Sequence, residues 1–189
     1  MVLATERKIT PAEYLEEENN AETKTELING ELFPMSGASV NHNRLTSKLH
    51  TLLSIGLDDR DYEVFVSDMR VWLADSKSYV YPDIVVVKGN PLFADDSQME
   101  ITNPCFIAEV LSPSTERYDK KAKFDLYKSL LSLEEYLVIY QNIQKVELYH
   151  RLNTNQWLLT EFSEENSSFT LESVNLEIHL LELYKRVVF

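Results

Sequence analysis

Two stretches decide the fold: Tyr81-Pro82-Asp83-Ile84-Val85-Val86-Val87 and Phe106-Ile107-Ala108-Glu109-Val110-Leu111. Unbroken β-branched and apolar runs of this length read as strands buried on both faces, with flanking helices to cover them. Each run carries one acid. Asp83 follows Pro82 and opens the first run, where a carboxylate either projects into a cleft or simply marks the solvated end of a strand. Glu109 interrupts the second run with apolar neighbours on both sides. A carboxylate is rarely buried unless it is ion-paired, hydrogen-bonded or bound to a metal. A buried salt bridge, or an edge strand with Glu109 facing water, would explain it equally well. If the two strands pair, both carboxylates converge on one cation. Magnesium takes oxygen ligands and keeps several waters, so two carboxylates plus a phosphate make a suitable set.

Working outward, the strand carrying Asp83 is expected over Tyr79 to Lys88. Before it, Thr10-Pro11-Ala12-Glu13 reads as a capped helix start, with Glu13 closing a capping box and the helix running to about Glu18. Thr25 to Met35 reads as a hairpin around Asn29-Gly30. Asn41 to Leu57 has Leu45, Leu49, Leu52 and Leu53 at helical spacing, and Glu63 to Leu73 alternates as one or two strands. Asn90 to Asn103 reads as loop. Beyond Glu109, Ser114 to Leu131 reads as a helix with Phe124, Tyr127 and Leu131 on one face. Strands follow at Glu135 to Tyr140, Lys145 to His150, Trp157 to Phe162 and Phe169 to Leu171, with a short helix over Leu176 to Tyr184. Trp72 and Trp157 are expected to pack in the core or at an interface. The sum is α/β: one domain over residues 1–189, a sandwich with a mixed central β-sheet flanked by helices.

Composition narrows the function. Hydrophobic residues make up 44% and charged residues 26%, so the chain folds rather than remaining disordered. The single cysteine, Cys105, excludes an intrachain disulfide and points to a reducing compartment. No stretch is apolar enough for a signal peptide or a membrane span, so a cytoplasmic protein without membrane contact is expected. Thirty-one acids against 18 bases give a net charge of -13, which opposes a broad phosphate-gripping surface.

A metal-carboxylate site of this kind calls for a nearby lysine. Two positions past Glu109, where a lysine would share its face, stands Leu111. The nearest alternatives are Lys120, Lys121 and Lys123 on the following helix. Lys123 shares a helical face with Asp119 and Tyr127, which also suits an ordinary surface pair with Asp119. The run as a whole suits a solvated face.

The combined pattern resembles a known family. Pro82-Asp83, Ile107-Ala108-Glu109-Val110-Leu111-Ser112-Pro113-Ser114-Thr115, Tyr118-Asp119 and Lys123 to Tyr127 are similar to the "putative restriction endonuclease" family greatly expanded in cyanobacteria. The hairpin Glu26 to Glu31, the helix opened by His42, and the later strands at Glu135 to Ile139 and Val146 to Tyr149 fit the same pattern. The likeness runs from about Thr10 to Leu159. It implies a restriction-endonuclease-like, or PD-(D/E)xK, fold and a metal-dependent endonuclease hydrolysing phosphodiester bonds in DNA. Asp83 and Glu109 would be the metal ligands for Mg²⁺ or Mn²⁺. Lys123 would stand in for the lysine of the usual motif, with Glu26 and His42 as accessory residues. A homodimer would suit cutting two strands. The acidic balance favours the rival reading, a non-catalytic module binding nucleic acid or protein on the same fold.

Overall fold

The structure, a computed structural model, describes residues 8–35, 37–111 and 118–189, with side chains for all of these but 118–120. The reading of the first seven residues and the stretch Ser112-Pro113-Ser114-Thr115 lie outside the described residues.

Helix α1 (Pro11–Glu18) begins as its sequence dictates: Thr10 and Glu13 form the capping box, with the Thr10 backbone N–H donating to Glu13 at 2.9 Å. Strands β1 (Thr25–Ile28) and β2 (Glu31–Pro34) form the hairpin. Asn29 and Gly30 both take positive φ, 51° and 88°, as a two-residue turn of the right twist requires. Ser39 caps helix α2 (Val40–Leu57), and Leu45, Leu49, Leu53 and Leu57 form its buried stripe.

From there the chain alternates between two sheets. Strand β3 (Tyr62–Val66) belongs to the six-stranded sheet, and β4 (Arg70–Leu73) and β5 (Ser78–Val80) to the five-stranded one. Strand β6 (Ile84–Lys88) returns to the six-stranded sheet. The continuous strand expected over Tyr79 to Lys88 is therefore two strands in different sheets. Tyr81, Pro82 and Asp83 make the crossing, because proline has no N–H for a ladder. The expected loop between Asn90 and Asn103 ends in a two-residue strand, β7 (Glu100–Ile101), parallel to β4.

Strand β8 (Pro104–Leu111) is buried along its whole length and pairs antiparallel with β6, Ile84 opposite Ala108. A π-helical turn (Tyr118–Lys123) runs into the short helix α3 (Phe124–Tyr127). This segment lies on the crossover to β9 (Glu135–Tyr140), which is parallel to β8. Phe124 and Tyr127 are buried, but Leu131 is 79% exposed, so the expected helix face does not extend that far. The helix stops at Tyr127, one turn before Leu131. Strands β10 (Val146–Asn153) and β11 (Gln156–Phe162) complete the six-stranded sheet, in the order β11-β10-β9-β8-β6-β3. A hairpin of β12 (Ser168–Leu171) and β13 (Leu176–His179) leads to helix α4 (Leu180–Leu183). Half of the tail read as helix is thus strand. Its pairing with β12 outweighs the local helical preference.

The mixed α/β architecture holds, with a mixed central sheet flanked by helices. One face of the central sheet packs Ile84, Val86, Phe106 and Ala108 against α2 and the C-terminal hairpin. The other packs Val85, Ile107, Leu111 and Tyr136 against α3 and the five-stranded sheet. Gly56 in α2 permits the close approach of the hairpin, since a Cβ there would meet Leu176 Cδ1 at 2.6 Å. Trp72 stacks near Tyr79 and Trp157 near Phe124, so both are packing residues. Among the described residues, no helix is long and apolar enough to cross a membrane.

Candidate metal centre and its cleft

Glu109 lies mid-strand on β8, on the same face as Ile107 and Leu111, so its side chain faces α3. It is only 4% exposed. Tyr127 donates its hydroxyl to Glu109 Oε1 at 2.8 Å, and Lys123 Nζ reaches the same oxygen at 3.2 Å. The spacing of four between Lys123 and Tyr127 brings both donors to one carboxylate. Burial, reinforced by the Glu109 charge, pushes the Tyr127 phenol well above its usual range and keeps it a donor.

Asp83 sits at the crossing between the sheets, just ahead of β6. Its backbone N–H points at Glu109 Oε2 at 3.4 Å, and its Oδ2 accepts from the Val110 backbone N–H at 2.7 Å. The strand pairing expected from the sequence sets Asp83 beside Glu109, with the Asp83 backbone rather than its carboxylate making the contact. His42, in the first turn of α2, places Nε2 3.2 Å from Asp83 Oδ2. Its Nδ1 lies 3.5 Å from Thr46 Oγ1, one turn along the helix.

Glu26 comes from the opposing sheet, on β1. Its Oε1 accepts from the Tyr81 backbone N–H at 2.9 Å and from Lys123 Nζ at 2.9 Å. Lys123 thus bridges a carboxylate of each sheet. The sequence left a surface pair with Asp119 open for Lys123, but only 6% of Lys123 is exposed. Lys121, by contrast, is exposed, as a solvated charge run predicts. Leu111 is buried in the core beside α3, so the position two after Glu109 serves packing.

All five residues singled out in the sequence line one open cleft of about 970 Å³. Two of its carboxylates, Glu26 and Glu109, share Lys123, while the third, Asp83, meets His42 and the Val110 N–H. Among the described residues, no three His, Cys, Asp or Glu side chains form a cage that would hold a metal unaided. Magnesium does not need one: one or two carboxylates, water and a phosphate suffice. Asp83 and Glu109, hard oxygen donors on an open cleft, fit that ion. Two features escaped the sequence reading. The Tyr127 contact to Glu109 was signalled by its spacing from Lys123, although the residue reads as core. The Val110 and Tyr81 backbone donors carry no side-chain signal at all.

A mixed α/β sandwich of this form is a restriction-endonuclease-like fold. The chain belongs to the Uma2 family, described as "Putative restriction endonuclease", whose sequence signature matches residues 11–181. The uncharacterized protein sll1609 of Synechocystis sp. (strain ATCC 27184 / PCC 6803 / Kazusa) is 52% identical over 167 residues, 88% of this chain and 94% of its own. A second uncharacterized protein of the same organism, slr1290, is 33% identical over 182 residues, 96% of this chain and 94% of its own. A solved structure described as a "putative nuclease belonging to DUF820" from Anabaena variabilis ATCC 29413 aligns with a TM-score of 0.77. It covers 95% of this chain and 99% of its own at 18% identity, a likeness of fold. Family membership supports a nuclease-like function.

Proposed function

We propose that the protein is a divalent-metal-dependent DNA endonuclease, with Asp83 and Glu109 as the metal ligands and Lys123 as the charge-stabilising residue. The observation that carries this reading is the presence of Asp83, Glu109 and a buried Lys123 on one cleft, held by paired strands and the turn before α3. A bound Mg²⁺ or Mn²⁺ supplies Lewis acidity toward the phosphate and lowers the pKa of a water. The chain's own groups do the rest. Val110 N–H holds the Asp83 carboxylate in place, and Tyr127 holds Glu109. Lys123 carries a positive charge to where negative charge develops on the phosphate. Glu26 orients Lys123 from the opposite sheet, and His42 orients Asp83.

A chain with one buried cysteine suits a reducing compartment, and the cytoplasm is the proposed location. The proposed assembly is a homodimer, since closed two-fold dimers are the commonest oligomers. Sedimentation equilibrium across a concentration series tests that assembly.

The test of activity is cleavage of plasmid DNA with Mg²⁺ or Mn²⁺, alongside Asp83→Ala and Glu109→Ala. Loss of cleavage in both, together with loss of Mn²⁺ binding by calorimetry, supports the proposal. Metal-independent cleavage, or equal activity in the variants, overturns it. The net charge of -13 favours the second reading, a non-catalytic module for nucleic acid or protein. A folded wild-type protein that binds no Mn²⁺ and cuts nothing decides for it.

A further inference from the structure

We infer that the strand this cleft admits is unpaired: single-stranded DNA, or a segment of duplex that has opened. The inference rests on the nuclease reading for the identity of the polymer, and three separate observations carry the rest.

The first is depth. Glu26, Glu109 and Lys123 are 5%, 4% and 6% exposed and Asp83 is partly buried, so the site's groups are recessed in the cleft. The β1–β2 hairpin walls one side and the start of α2 the other. A duplex carries its phosphates on a stiff, wide cylinder, which reaches recessed groups less readily than a bending strand does. A single strand bends and enters, as do the extruded nucleotides of base-modifying enzymes.

The second is the wall itself. Phe33, Pro34 and Met35 line the cleft, and Phe33 and Met35 remain 36% and 39% exposed. Duplex DNA offers no base face to such a wall. An unpaired strand does, and base–aromatic stacking is a common source of single-strand affinity. Asn43 and Asn142, exposed on the same cleft lining, carry amides that match the hydrogen-bonding edges of unpaired bases, whereas the Asn41 amide is engaged with the Gln141 and Val188 backbone.

The third is charge. Among the described residues, the basic side chains lining the cleft besides Lys123 and His42 are Lys24 and Arg44. Lys24 is already ion-paired with Asp68. On a chain of net charge -13, these described cations are few for the many phosphate contacts on which duplex binding depends. They suffice for a strand held mainly by its bases.

The experiment is fluorescence anisotropy on the intact protein, with EDTA present so that nothing is cut. The probes are a labelled 12-nucleotide DNA strand, the same strand annealed to its complement, and an RNA strand of the same sequence. The expected result is that the single DNA strand binds at least about tenfold more tightly than the duplex, with a shallow salt dependence. Phe33→Ala should weaken single-strand binding by about fivefold or more and leave duplex binding unchanged. Phe33→Trp should restore it, which a general loss of folding would not allow. Equal or tighter duplex binding, binding of neither DNA, or indifference of the single strand to Phe33→Ala overturns the inference. RNA bound as tightly as DNA keeps the unpaired strand and widens the substrate to both. Parallel cleavage assays with Mn²⁺ separate the two proposals. Single-strand binding without cleavage defeats the nuclease reading alone, and preferential cutting of fully paired duplex defeats the inference alone.

Discussion

Glu109 on β8 and Glu135 on β9 are two buried glutamates on neighbouring parallel strands, and they live in opposite circumstances. Glu135 is completely buried and fully occupied by the C-terminal hairpin. It accepts from the Glu172 and Ser173 backbone N–H groups at 3.1 and 3.0 Å and from the Ser173 hydroxyl at 2.5 Å. His150 Nδ1 approaches it at 3.3 Å. Glu109 instead shares its surroundings with two other carboxylates and a lysine, at the floor of an open cleft. Backbone donors wrapped around one carboxylate make a strut. Several like charges held together beside solvent make a site that costs stability and persists where a cation uses it. Burial alone does not mark a functional acid; the company it keeps does.

The largest expected effects test that contrast directly. Asp83→Asn and Glu109→Gln should each lower metal-dependent cleavage by about a hundredfold or more, since each removes a charged oxygen ligand. Their melting temperatures should change little, because like-charge repulsion in the cleft is relieved. Glu135→Ala should do the reverse. It strands two backbone N–H groups and a hydroxyl, at about 3 kcal/mol, and lowers the melting temperature by roughly 10 °C. Its cleavage rate per folded molecule should stay near wild type. Thermal melts and cleavage rates on the same samples read both; if Glu135→Ala abolishes cleavage while remaining folded, the division between strut and site fails.

Lys123 offers a sharper test. Lys123→Met leaves Glu26 and Glu109 buried without the cation between them, an arrangement that costs about 3 kcal/mol or more. The double variant Lys123→Met/Glu26→Gln should recover much of that stability and none of the cleavage. Chemical denaturation of the four proteins in that cycle measures the coupling. Strict additivity would show that Lys123 does not bridge the sheets energetically.

The contrast also explains what the sequence disclosed. Glu109 stood out because an acid in the middle of an apolar run breaks a pattern, and its partner Asp83 because a proline sets it at the lip of another. Both depend on local composition, and both acids lie where strand pairing carries them. Glu135 sits at a strand's start, where acids are common, so nothing local distinguished it. Its donors come from residues 37 and 38 positions away. The switch of sheets at Tyr81 to Asp83 was invisible for a related reason. Two short strands joined by three residues have the same hydrophobic profile as one long strand, and only tertiary pairing separates them. Leu131 misled because helical periodicity continues past the point where the backbone turns away. Tyr127 was legible as core but not as a donor, since its role depends on the glutamate it meets across the sheet.

Tyr127 yields the mildest prediction at neutral pH. Tyr127→Phe removes one hydrogen bond to a buried carboxylate, worth about 1.5 kcal/mol. Its signature lies at high pH. The folded protein holds this phenol protonated well above the usual value of 10.0, while in the unfolded chain it ionises there. A group that keeps its proton only when folded contributes stability below the unfolded value and loses it as pH rises. Burial acts likewise on Cys105, whose thiol is pushed up to about 12 from 9.0. Stability should therefore begin to fall above about pH 9 and fall more steeply above pH 10. In Tyr127→Phe the second decline should be shallower by about 1.4 kcal/mol per pH unit, the share of one proton. In Cys105→Val the first decline should soften, leaving the Tyr127 share intact. Urea midpoints between pH 8 and 11 separate the two slopes. Were Tyr127→Phe to fall as steeply as wild type, the phenol would not be held neutral against Glu109, and the close hydrogen bond that positions this carboxylate would be absent in solution.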